Sequence, residues 1–165
     1  MFRRSLLFCL VLSAMMGGAC AYTEAVFLPT GFVKESDLLM LIGACVIAPV
    51  IEELLKPIGL FIFLSEKRDL SMFNWILLGA FSGLGFELLE NAIYALAATA
   101  ESYSLALNLL VIRNLFPVHL ITTSIAGFGV GLWAKLNSRK CFLVAIGISI
   151  LIHALFNLFA FSFGV

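Results

Sequence analysis

Residues 48–57 read APVIEELLKP, two adjacent glutamates and a lysine between two prolines, at the middle of an apolar run over residues 38–64. That run is long enough to cross ~30 Å of hydrocarbon, which takes about 20 apolar residues as a helix. Comparable runs cover residues 5–21, 72–98, 105–134 and 141–163. The sequence therefore predicts an all-α fold, a polytopic transmembrane helix bundle of about five spans. With 62% hydrophobic and 12% charged residues, the 165-residue chain lies outside the soluble globular range. The linkers are short, so residues 1–165 read as one membrane-embedded domain in contact with the lipid bilayer. The formal net charge of zero says nothing about nucleic acid, but no basic tract exceeds two residues, so no nucleic-acid partner is expected.

Lys and Arg in short loops set orientation. Arg3 and Arg4 precede the first run, Lys67 and Arg68 follow the second, and Lys135, Arg139 and Lys140 join the fourth to the fifth. Alternating spans put these sites on one side, with Lys34 alone opposite, which predicts a cytoplasmic N-terminus. Residues 1–21 have two readings. Their basic start and apolar stretch form a first span, and Ala19-Cys20-Ala21 also resembles the small-x-small end of a cleaved secretory signal. Cleavage leaves four spans in the same orientation, with residues 38–163 as the functional bundle. Cys9, Cys20, Cys45 and Cys141 lack CxxC spacing and read as small packing residues.

The ionisable residues share one depth. At about 1.5 Å of rise per residue, Glu52 and Glu53 fall near the centre of the second span. Glu87 and Glu90 fall near the centre of the third, His119 of the fourth and His153 of the fifth. An ionisable side chain at mid-bilayer costs about 2.5–3.5 kcal/mol even on a permissive scale, so each is a functional candidate. Glu87, Glu90, Asn91 and Tyr94 follow i, i+3, i+4, i+7 and share a helix face, which Gly83 and Gly79 extend as a close-packing surface. His153 and Asn157 stand at i, i+4, as do Glu52 and Lys56. Glu52 and Glu53 leave their helix about 100° apart and so serve different ends. Pro49, Pro57 and Pro117 each remove a backbone donor and break a helix where protein or water can fill the gap. A wet cavity lined by Glu52, Lys56, His119 and Asn157, open to the cytoplasm along the Lys56 stem, is the expectation. Four carboxylates (Glu52, Glu53, Glu87, Glu90) against Lys56 and Arg113 leave two negative charges, to be met by a divalent metal or by protons.

Taken in order, APVIEELLKP, GLGFELLENAIYAL, RNLFPVHLITTSIAGFGVG and LIHALFNLFA resemble the PrsW family of membrane-embedded proteases, related to the CAAX-prenyl endopeptidases and bacteriocin-processing proteins. The prenyl-endopeptidase pattern fits less well, because Pro57 stands where its Arg is expected and Leu115 where its Phe is expected. The resemblance implies a hydrolase that cuts membrane-bound protein substrates, such as anti-sigma factors in some relatives.

Peptide hydrolysis needs an activated water, a polarised carbonyl and a proton for the leaving amine. Glu52 or Glu53 is the expected general base. His119 and His153 either ligate a metal or bond the oxyanion, and Asn157 offers it a neutral donor. Lys56, Glu87, Glu90, Asn91, Tyr94 and Arg113 are the expected supports. Where a divalent metal such as zinc serves, Glu53, Glu90, His119 and His153 are the expected ligands. Thr122 and Thr123 are expected to bond back to their own helix. The alternative from another class is a transporter or proton/ion pathway built on the same buried Glu and His residues.

Overall fold

The computed structural model describes residues 2–27, 37–64, 69–100 and 102–163. Its helices are α1 (Phe2–Phe27), α2 (Asp37–Ile42), a π-helical turn (Gly43–Ile47), α3 (Ala48–Leu55), α4 (Ile58–Leu64), α5 (Met72–Thr99), α6 (Tyr103–Leu115), α7 (Val118–Leu136) and α8 (Arg139–Phe163). No strand occurs among the described residues. Among the described residues, four stretches are long and apolar enough to cross a membrane: Phe2–Thr23, Met72–Thr99, the broken Ala106–Leu136 and Arg139–Ala160. The expected second span is present as four short pieces, α2 to α4 with the π turn. Lys34, Lys67 and Arg68, on which the orientation partly rests, lie outside the described residues.

The segments alternate in direction. The second-span pieces run antiparallel to α1, with Phe8 edge-on to Phe63 at 5.6 Å and Cys9 against Gly59. α5 runs antiparallel to α6 and α7, pairing Gly79 with Thr123, Gly83 with His119 and Asn91 with Arg113. A methyl group on Gly79 or Gly83 would overlap the backbone of Thr123 or His119, so only glycine permits this approach. Asn137, left-handed at φ 53°, ends α7 and turns the chain straight into the antiparallel α8.

One end of the bundle holds the apolar core. Leu60, Trp75, Leu78, Ala126, Val130, Phe142 and Ile146 are buried there, with Phe2, Leu6, Leu64 and Trp133 packed around them. That end also carries Arg3 and Arg4 at the start of α1 and Lys135, Arg139 and Lys140 at the α7–α8 turn. The polar residues occupy the next level along α3, α5, α7 and α8, between this core and the opposite end.

Each proline-marked break is closed by another helix. In a π turn the partner of the Ala44 carbonyl is the backbone nitrogen five residues on, here Pro49, which has no hydrogen. Asn157 Nδ2 of α8 donates to that carbonyl instead, at 2.7 Å. At Pro57 the chain leaves α-geometry, and Leu60 N–H turns to Pro57 O at 2.9 Å. The stranded Lys56 carbonyl accepts from Ser82 Oγ of α5 at 2.6 Å. Beyond Pro117, α7 starts with free amides, and His119 N–H donates to Glu87 Oε2 at 3.1 Å.

Candidate active site

Glu52 and Glu53 are both buried and, as their 100° divergence requires, do different things. Glu53 Oε1 gathers three donors: Lys56 Nζ at 2.6 Å, Thr122 Oγ1 at 2.9 Å and His153 Nδ1 at 2.9 Å. Glu52 Oε2 faces the two imidazoles, 3.7 Å from His119 Nδ1 and 3.9 Å from His153 Nε2. Lys56 is fully buried. Its ammonium lies 3.4 Å from Glu52 Oε2, 2.6 Å from His119 Nδ1 and 4.6 Å from the centre of the Phe86 ring.

His119 is held on every side. Its Nε2 is 2.5 Å from Glu90 Oε2 and its ring packs on Phe86 and, edge-on at 4.8 Å, on His153. Arg113 pairs with Glu90 at 3.0 Å, bonds Asn91 Oδ1 through Nε and lies over the Tyr94 ring at 4.9 Å. The tautomers follow from the carboxylates. His119 keeps its N–H on Nε2, beside the Glu90 carboxylate, and His153 keeps its N–H on Nδ1, donating to Glu53, so the lone pairs lie on His119 Nδ1 and His153 Nε2, the nitrogens nearest Glu52.

One donor atom each from Glu52, His119 and His153 lies within 4.8 Å of the others. A tetrahedral zinc ion with bonds of ~2.1 Å holds its ligands about 3.4 Å apart, so movements of under about 1 Å would bring these three onto one ion. Two imidazoles and a carboxylate form a known catalytic zinc set, and an outer carboxylate on each imidazole is the usual support for it. The residues fit a divalent metal. The ammonium of Lys56 now bonds one of the same lone pairs, so a bound ion would displace it from His119 Nδ1.

The sequence profile described as PrsW family intramembrane metalloprotease matches residues 3–165. The chain belongs to the PrsW family. No curated protein and no solved structure matches it significantly. Membership of a family of intramembrane proteases favours a peptidase over the ion-pathway alternative.

In this PrsW-family chain the structure brings Glu52, Glu53, Lys56, Glu90, His119 and His153 into one cluster, with Asn91, Tyr94 and Arg113 behind Glu90. Glu53 and Glu90, expected as ligands, bond the outer nitrogens of the imidazoles, and Glu52 faces the inner ones. Glu87 lies at the start of α7, and Asn157 at the π turn, its amide nitrogen on Ala44 rather than toward the cluster. Thr122 does what was expected and more: its hydroxyl bonds back to its own helix at the His119 carbonyl, 3.4 Å, and reaches Glu53 Oε1 at 2.9 Å, whereas the buried hydroxyl of Thr123, expected to back-bond as well, has no hydrogen-bond partner among the described residues. The expected cytoplasmic opening along Lys56 is not what forms. Lys56 is enclosed by Glu53, His119 and Phe86, and the apolar core fills the basic end beneath it. Phe86 and Ser82 escaped the sequence reading. Phe86 lies one residue before Glu87 among sixteen phenylalanines, and Ser82 stands four residues before it, so neither is distinguished by its pattern.

Proposed function

We propose that this chain is an intramembrane endopeptidase in which Glu52, His119 and His153 hold a divalent ion such as zinc, cutting a peptide bond of a membrane-bound protein. The observation that carries the reading is the convergence of those three donors with each imidazole's far nitrogen on its own carboxylate. The charge count agrees. Four carboxylates against Lys56 and Arg113 leave two negative charges, the complement of one divalent cation. Such an ion, when bound, supplies a hydroxide-like water at neutral pH and polarises the scissile carbonyl.

The chain's own groups do the rest. Glu53 Oε1 is held by Lys56, Thr122 and His153, whereas its buried Oε2 has no hydrogen-bond donor among the described residues. Glu53 Oε2 is the general base: it accepts the proton of the attacking water and returns it to the leaving amine. Lys56 keeps Glu53 charged inside an apolar bundle. Arg113 and Asn91 fix Glu90, which fixes the His119 ring. Glu87 anchors α7 by its first turn, and Asn157 keeps the π turn in shape. The basic end is the cytoplasmic one by the positive-inside rule.

The test is cleavage of a membrane-tethered peptide by the purified protein in nanodiscs, read beside its metal content. Glu52→Gln, His119→Ala and His153→Ala should each lose both cleavage and metal by at least about 100-fold. Retained cleavage in Glu52→Gln, or full activity after the metal has been stripped, would overturn the assignment.

A further inference from the structure

A cavity of about 440 Å³ opens between α1 and the π turn with α3. Its α1 wall includes Met16, Ala19 and Cys20, and its opposite wall includes Ala48, Ile51 and Glu52. Apart from Thr23 and Glu52 every lining residue is apolar or glycine. The room exists because small side chains, Ala19 and Cys20 against Gly43 and Ala48, face one another across it. Ile47 and Ile51, on the same wall, are about half exposed on the bundle's outer surface (52% and 48%), so the cavity lies beside lipid. Along each helix it sits on the far side of the polar cluster from the apolar core.

We propose that this cavity is the substrate's side-chain pocket: it takes the apolar side chains of a membrane-spanning protein next to the bond that is cut. This rests on the peptidase reading above. Glu52 joins the two sites, since the carboxylate that lines the cavity also faces His119 and His153. A chain lodged there lies beside the reacting atoms. Size limits how much enters. A helix ~10 Å across fills about 420 Å³ per turn, so the cavity holds about one turn's worth of chain and takes side chains of the substrate rather than the whole length of a spanning helix. The apolar lining selects large aliphatic or aromatic side chains at that position.

Ala19 lies on the lipid-accessible edge of α1, and enlarging it fills the cavity without entering the Glu/His cluster. For Ala19→Trp the expected result is a loss of at least about tenfold in kcat/KM for tethered peptides with Leu or Phe flanking the cut. Peptides with Ala there should be cleaved as by the wild type, at unchanged metal content. An equal loss on both peptides, or none on either, would overturn the pocket. A photo-reactive residue at position 19 reads occupancy without turnover. It should capture the tethered Leu peptide, whereas the same group at Met15, 67% exposed, should not. Capture of lipid alone at position 19 would assign the cavity to an acyl chain and refute the proposal. If the wild type cleaves nothing, the peptidase reading fails by itself, and the capture experiment still decides whether the peptide binds here.

Discussion

On the proposed metal reading, replacing Glu90 with glutamine separates the support of a metal ligand, His119, from the support of the fold. The carboxylate lies 2.5 Å from His119 Nε2 and 3.0 Å from Arg113 Nη2. Glutamine keeps the volume and one acceptor oxygen but not the charge, so His119 becomes a weaker ligand. Loss of such an outer partner typically lowers metal affinity ~10–100-fold, about 1.4–2.7 kcal/mol. The stability penalty should be small, because Arg113 is 17% exposed and keeps Asn91 and Tyr94. Glu53→Gln makes the matching change behind His153 with a different outcome. Lys56 is 0% exposed and loses its 2.6 Å partner, and a broken buried ion pair costs about 3–5 kcal/mol. Zinc affinity by chelator competition and thermal unfolding in nanodiscs give both quantities. The expected pattern is weakened metal binding in both variants and marked destabilisation in Glu53→Gln alone. Wild-type zinc affinity in Glu90→Gln, or equal destabilisation of the two, would refute the division of roles.

Gly83→Ala places a methyl group on the backbone of His119 and should cost about 1–3 kcal/mol in thermal stability, whereas Gly147→Ala, with nothing within 4 Å, should be neutral or better. Asn157→Leu strands the Ala44 carbonyl and should cost about 1–3 kcal/mol; chemical denaturation checks it, and activity should return when the variant is assayed below its unfolding range. In an otherwise cysteine-free chain, Lys140→Cys should react with a membrane-impermeant thiol reagent only from the cytoplasmic face, and labelling from outside alone would invert the orientation.

The sequence made the level of the site legible but not its wiring. Helix rise by itself puts Glu52, Glu53, Glu87, Glu90, His119 and His153 at one depth, because a spanning helix is tied to the bilayer at both ends. The angle between Glu52 and Glu53 likewise follows from helix geometry. Which of them meets the imidazoles depends on how α3 is rotated against α7 and α8, and the π turn sets that rotation just upstream. Glu87 looked equivalent to Glu90 on their shared face. One turn of α5 separates them, and that turn is the difference between the start of α7 and the ring of His119. The back-bond of Thr122 follows from a local rule, but its shorter bond to Glu53 exists only in three dimensions. The assumed cytoplasmic opening failed for a similar reason: a lysine stem extends toward water only when no buried acid is closer.

The patched breaks also order the protein's manufacture. Residues 37–64 emerge from the ribosome with two proline breaks, and the side chains that mend them, Ser82 and Asn157, are translated later, on α5 and α8. Until then Glu52, Glu53 and Lys56 have one another as partners but not Thr122, His119 or His153, and this segment is a poor lodger in the bilayer. The imidazoles too come after the glutamates, His119 on α7 and His153 on α8, one turn before Asn157. No nascent chain lacking α8 has an assembled centre. His153 and Asn157 share α8, so the imidazole that completes the cluster and the amide that mends the π turn reach the membrane together.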